Sequence, residues 1–198
     1  MARTRAADYD EKRNAILKRS SRLFADGGFE RTSMSQVANT CGVSKALLYH
    51  YYASKEALLY DILYGHLKEL VDAVEEAGSA TGTAEDRLRA LVGAILDAYR
   101  DADAEHKVQI NALASLPEDK QRELKAMERA LVDRVAAVVA QVNPALANGS
   151  PLLKPVTMSL FGMLNWHYMW YRPDGPVSRE DYADLATKLI VNGAREID

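Results

Sequence analysis

Between Ser33 and Tyr52 the chain has room for two short helices joined by a tight turn, and for little else. Ser33 can cap a helix that ends near Thr40-Cys41-Gly42, and Ser44 can cap a second that runs to about Tyr51. Gly42 supplies the positive φ that a three- or four-residue turn between near-perpendicular helices requires. Val37, Ala38, Val43 and Leu48 are spaced to close a small core between the two, with Ala38 small where the helices approach most closely. The second helix opens on the polar pair Ser44-Lys45 and carries donors at Lys45, Tyr49, His50 and Tyr51, which suit phosphates and base edges better than a core. This is the grammar of a helix-turn-helix.

The surroundings are helical as well. No period-two alternation persists anywhere, and no segment repeats. Ile16, Leu17, Ser20, Leu23 and Phe24 form a stripe on a first helix over about 8–26, which Gly27-Gly28 stops. Ser54 opens a fourth, with Glu56 in its first turn, where the helix dipole favours an anion. At about 1.5 Å per residue, a helix over 54–76 spans roughly 34 Å. Five more helices follow: from Thr83 to about 101, about 103–115, one with Pro117 in its first turn, about 152–171, and one capped by Ser178. The fold class is therefore all-α, with nine helices in two domains. Residues 1–53 form a three-helix head, and residues 54–198 form a helical bundle.

Charge divides along the same line. Residues 1–60 carry 10 Lys and Arg against 6 Asp and Glu, while the remainder carries 15 against 22. A basic head on an acidic body lets only the head approach a polyanion. No run reaches the roughly 18 apolar residues of a membrane span, and no apolar stretch follows the arginines of MARTRAADYDEKRN, so neither membrane insertion nor export is expected and the chain should stay in the cytoplasm. A single cysteine, Cys41, forbids an intrachain disulfide.

The stretch around the turn resembles the TetR family of repressors. The resemblance rests on Thr32, Val37-Ala38, Gly42-Val43-Ser44, Leu48-Tyr49-His50-Tyr51-Tyr52 and Ser54-Lys55-Glu56-Ala57-Leu58, preceded by Leu23-Phe24-Ala25-Asp26-Gly27-Gly28-Phe29, and covers about residues 12–60. It implies a dimer that binds a palindromic operator in double-stranded DNA and is released by a small molecule. The DNA-binding residues it implies are Thr32, Ser33, Ser44, Lys45, Ala46, Tyr49, His50, Tyr51 and Lys55. Ala46 stands where many members have Gly. Tyr52 replaces the usual Phe, with its hydroxyl expected at the surface. Arg3 and Arg5 are candidates for a minor groove.

The body is then expected to sense and to dimerise. The last two helices are the expected interface, through Gly162 and the apolar girth of 152–171, and through Ala186, Leu189, Ile190 and Gly193. Candidate ligand-binding residues are Tyr99, Asn111, Trp166, His167 and Trp170, an aromatic set with a few polar groups, although the same aromatics suit a core or an interface. The segment from Leu160 to Pro173 looks like the bodies of members that govern fatty-acid, steroid or phenylacetate breakdown, which suggests an acyl-CoA or a related hydrophobic acid. A change in head separation carried by the fourth helix would make ligand binding weaken DNA binding.

Two other classes compete. An enzyme is disfavoured because there is no Gly-rich phosphate loop, no nucleophile elbow and no HExxH, and no cofactor is implied. Asp101-x-Asp103-x-Glu105-His106 reads as a solvated helix junction rather than a metal site, and no metal is expected. A constitutive DNA-binding protein without a ligand is disfavoured by the acidic body, since a generic binder gains from positive charge throughout.

Overall fold

Helices carry most of the described residues. The computed structural model describes residues 2–147 and 149–197, with side chains from residue 9 onward. Among these residues there are nine α-helices of seven residues or more, one single-turn helix, two 3-10 turns and no strand. The helices are α1 (Ala2–Gly27), α2 (Met34–Cys41), α3 (Lys45–Tyr51), α4 (Lys55–Ala77), α5 (Ala84–Ala98), α6 (Asp103–Ala112), α7 (Glu118–Val142), α8 (Leu153–Asn165) and a terminal helix (Arg179–Arg195), with the single turn His167–Trp170 following α8. None is long and apolar enough to cross a membrane.

Most boundaries follow the punctuation in the sequence. Gly28 takes φ 82° and returns its N–H to the Phe24 carbonyl at 2.9 Å, which ends α1. Thr83 with Asp86 and Ser178 with Asp181 form reciprocal capping boxes on α5 and the terminal helix. Three boundaries differ from expectation. α1 begins at Ala2 rather than near residue 8, because no glycine or proline interrupts its first turns. Pro117 precedes α7 and contributes only its carbonyl, which accepts the Gln121 N–H at 2.9 Å. The long apolar stretch expected as one helix over 152–171 breaks at Trp166.

Two compact units are present, and each draws on two stretches of chain. The first comprises residues 1–67 and 101–125, and the second residues 68–100 and 126–198. In the first, Ile16, Phe24, Val37, Ala38 and Leu48 are buried as the stripes predict, whereas Val43 is half-buried. α6 packs along α1 and is bonded to it. Ser21 Oγ donates to Glu105 Oε1 at 2.7 Å across 84 residues of sequence, and Lys18 Nζ donates to the Asp101 carbonyl. Just beyond α6, Ser115 Oγ donates to Glu30 Oε1 at 2.6 Å. Asp101 has φ 59°, the one positive value outside glycine among the described residues, and its carbonyl is the group that Lys18 holds.

In the second unit the terminal helix lies against α5 and α8. Ala183, Ala186, Thr187 and Ile190 face inward. Arg89 on α5 pairs with Asp184 and, at 3.6 Å, with Glu180, while Arg195 pairs with Glu85 at 3.0 Å. Asn143 donates to the carbonyls of Ala194 and Ile197, which ties down the end of the chain. The four residues expected on one outer face are split by this packing. Ala186 and Ile190 are inside, whereas Leu189 is 56 % exposed and Gly193 opens onto free space, because 185, 189 and 193 share a different i, i+4 row from 186 and 190.

His66 on α4 and His106 on α6 are both buried in the first unit, with ring centroids 5.9 Å apart. Burial, then His106, then Lys18 push the His66 pKa from 6.5 down to about 3. The folded state therefore keeps this ring neutral, while the unfolded chain takes up a proton as pH drops through 6.5. The stability linked to His66 is complete above that pH and is lost progressively on acidification toward about 3. The urea midpoint should fall between about pH 7 and pH 4.5, and His66→Phe should narrow that difference. A variant with the full wild-type pH dependence would contradict this assignment.

Candidate functional site

The turn between α2 and α3 is fixed from both ends. Ser33 Oγ accepts the Gln36 N–H at 3.3 Å, and Gln36 Oε1 accepts the Ser33 N–H at 2.8 Å, closing a capping box on α2. Gly42 sits at φ 69°, and its N–H reaches the carbonyls of Ala38 and Asn39. Arg19 on α1 donates to the Cys41 carbonyl at 2.7 Å, so the last turn of α2 is held by a cation. Ser44 Oγ then accepts the Leu47 N–H at 3.1 Å and starts α3.

α3 has seven residues, and only Leu48 among them is buried. Lys45, Ala46, Leu47, Tyr49 and His50 are exposed, as are Ser33 and Ser44 beside them. The Lys45 ammonium lies 5.9 Å from the centre of the Tyr49 ring. Tyr51 is half-buried. Its ring stacks on Tyr9 of α1 at 4.6 Å and meets His50 edge-on at 5.9 Å. Ser33, Ser44, Lys45, Ala46, Tyr49 and His50 are thus open to solvent at the start and along the length of α3, with Tyr51 partly covered by Tyr9. Arg3 and Arg5 lie outside the described side chains.

Two of the expected contact residues are engaged with backbone carbonyls. Thr32 is buried and donates its hydroxyl to the Gly28 carbonyl at 2.8 Å. Lys55 donates to the carbonyls of Phe29 (2.9 Å) and Glu30 (3.4 Å), with its ammonium 4.2 Å from the Phe29 ring centre. Both side chains brace the loop between α1 and α2. Tyr52 also departs from expectation. Its hydroxyl is not at the surface, because the residue is buried and donates to Asp61 Oδ2 at 2.6 Å. Arg13 Nη2 donates to both oxygens of the same carboxylate, at 2.6 and 2.7 Å. Burial, reinforced by the hydrogen bond to Asp61 and its charge, raises the Tyr52 phenol far above its ordinary range. The result is a bridge from α1 through α4 to the residue that ends α3. The replacement of Phe by Tyr at 52 was its one trace in the sequence.

The five ligand candidates divide between the two units, with His167 and Trp170 meeting edge-on at 5.1 Å. Asn111 belongs to the first unit. It donates to the Lys107 carbonyl at 2.8 Å and lines a groove of about 370 Å³ with Phe24, Arg31, Lys107 and Ser115. The other four belong to the second unit. Tyr99 is buried and donates to Asn165 Oδ1 at 2.7 Å; burial, then Glu128, raise its phenol pKa. His167 is 2 % exposed and stacks between Tyr171 (4.3 Å) and Tyr182 (5.0 Å). Burial, then Arg179, push its pKa down to about 4, so it is a neutral core ring at pH 7. Trp166 and Trp170 are 58 % and 48 % exposed. The second unit has a groove of about 510 Å³, lined by residues not anticipated: Arg89, Leu96, Asp97, Arg100, Tyr171 and Arg179. Leu152 just before α8, Met158 on it, and Leu185 and Leu189 on the terminal helix are exposed, and Gly162 and Gly193 have no neighbour where a side chain would begin.

Comparison with known proteins agrees with this geometry. Residues 16–62 match the family described as bacterial regulatory proteins, tetR family, and residues 81–194 match the tetracyclin repressor-like C-terminal domain. A TetR-family transcriptional regulator from Bordetella parapertussis superposes with a TM-score of 0.85 at 34 % identity, covering 90 % of this chain and 93 % of that one. The structure of AibR in complex with isovaleryl coenzyme A and operator DNA gives a TM-score of 0.76 at 27 % identity, over 90 % of this chain and 97 % of that one. The HTH-type transcriptional repressor KstR2 of Mycobacterium tuberculosis is 23 % identical over 200 residues, with 95 % of each chain covered.

Tyr52→Phe removes one hydrogen bond to an ionised carboxylate and should lower stability by about 1.5–3 kcal/mol in urea denaturation. Asp61→Ala should cost more, since it leaves both Tyr52 and Arg13 without their shared acceptor. An unchanged midpoint in Tyr52→Phe would show that the bridge contributes nothing to the fold.

Proposed function

This chain belongs to the TetR family of bacterial regulatory proteins, and from that premise we propose that it is a cytoplasmic, homodimeric transcriptional repressor that leaves a palindromic operator when a small hydrophobic or acyl-CoA-type ligand binds. One observation carries the DNA-binding part of this reading. α3 is held by capped ends and the buried Leu48 while Lys45, Ala46, Leu47, Tyr49 and His50 are presented outward. Lys45, Tyr49 and His50 serve as the principal base and phosphate contacts, with Ser33, Ser44 and Ala46 at the rim and Tyr51 acting from its stack on Tyr9. Thr32 and Lys55 contribute by fixing the loop behind them. The functional division is a reading head over 1–53 and a sensing and pairing body over 54–198.

Pairing follows from the target. Two recognition helices must meet major grooves about 34–36 Å apart, which one chain cannot do. Exposed Met158 of α8, Leu185 and Leu189 of the terminal helix and the open glycines Gly162 and Gly193 supply apolar surface suited to a second copy. Repression and ligand binding have support in the relatives, since KstR2 is named a repressor and the AibR structure holds both isovaleryl coenzyme A and operator DNA. The ligand would engage the second unit, where Tyr99, Trp166, His167 and Trp170 reside, and Asn111 would serve the separate groove of the first unit. The protein acts by binding rather than by turnover. A ligand that favours the DNA-incompetent state by about 1.4 kcal/mol weakens the operator tenfold.

Selection from a random duplex pool should return a palindrome whose affinity falls steeply with salt, and native mass spectrometry should show a dimer. Lys45→Ala/Tyr49→Ala should bind the selected operator about a hundredfold more weakly at an unchanged urea midpoint. Acyl-CoA thioesters should release the wild-type complex. A double variant that holds the operator as firmly as the parent overturns the interface, and a complex indifferent to every thioester tested favours a constitutive binder.

A further inference from the structure

We propose that Leu47 reads the C5-methyl group of a thymine in each operator half-site. The proposal rests on α3 being the recognition helix and adds a specificity-determining residue to it. Leu47 and Leu48 are adjacent leucines with opposite fates. Leu48 is fully buried, whereas Leu47 is 37 % exposed. Single exposed leucines are ordinary on protein surfaces, but this one has a particular place. It is the third residue of α3, in the turn that Ser44 caps, and a helix-turn-helix directs that turn at base edges. Exposed Ala46 beside it adds no bulk to hold the duplex away.

The chemistry of the groove then narrows the choice. Every base pair presents polar atoms in the major groove, and an aliphatic side chain can satisfy none of them. Set against such atoms, Leu47 would strip their water without replacing its hydrogen bonds. The C5-methyl of thymine is the one apolar group the groove offers in unmodified DNA. An aliphatic residue at the reading end of the helix therefore gains only where that methyl stands opposite it.

The test uses the operator recovered by selection, with each thymine replaced in turn by deoxyuridine, which deletes the methyl and nothing else. The wild-type dimer should lose about fourfold in affinity at one symmetric thymine of a half-site and about fifteenfold when both half-sites are changed. Leu47→Ala should bind the thymine operator more weakly at an unchanged urea midpoint and should no longer distinguish thymine from deoxyuridine at that position. Two outcomes overturn the proposal while leaving operator binding intact: no thymine in the half-site is sensitive, or the same sensitivity persists in Leu47→Ala because another residue reads the methyl. Recovery of no operator at all would remove the DNA-binding reading beneath it as well.

Discussion

A helix of seven residues does not persist alone in water, because its nucleation is never repaid by its length. Whatever α3 does depends on how it is anchored. Leu48 supplies the one fully buried attachment, buried like Val37 and Ala38 of α2, and the stack of Tyr51 on Tyr9 adds a second contact. Ser44 satisfies the first amide that needs a partner, and the left-handed Gly42 sets the angle to α2. At the far end Tyr52 is tied through Asp61 to Arg13, so the helix is held at its start, middle and finish by different kinds of interaction. This division leaves the outward side chains with no structural duty.

The same economy extends behind the surface. Thr32 and Lys55 both donate to backbone carbonyls of the loop between α1 and α2. α6 joins the first unit through its buried His106, Val108 and Ala112 and through the polar contacts of Lys18 and Ser21, far from them in sequence. In the second unit the ion pairs of Arg89 and Arg195 flank a seam of small residues, Ala183, Ala186 and Thr187, that lets the terminal helix approach α5 closely. Exposed pairs of this kind add little stability individually; the seam does most of the holding.

Legibility in the sequence followed the range of the interaction. Gly42, Ser33, Ser44, Ser54 and Ser178 act within a few residues, and the elements they begin or end are where local rules place them. The exposed face of α3 was readable for the same reason. Lys55 and Tyr52 were not, since their partners are set by packing; Lys55 reaches back 26 residues to Phe29, and Asp61 and Arg13 stand 48 residues apart. The ligand candidates show the limit most clearly. Trp166 and His167 are neighbours of similar character, yet one is 58 % exposed and the other 2 %. Aromatic density reveals that a segment packs against something, and not which of its rings does so.

The central claim is that two copies of α3 enter successive major grooves on one face of a duplex. Hydroxyl-radical footprinting on the selected operator measures this directly. The account predicts two protected patches related by a two-fold axis and separated by about 10–10.5 base pairs, or a whole multiple of that spacing. Uniform protection along the fragment, or a single unpaired patch, would contradict it.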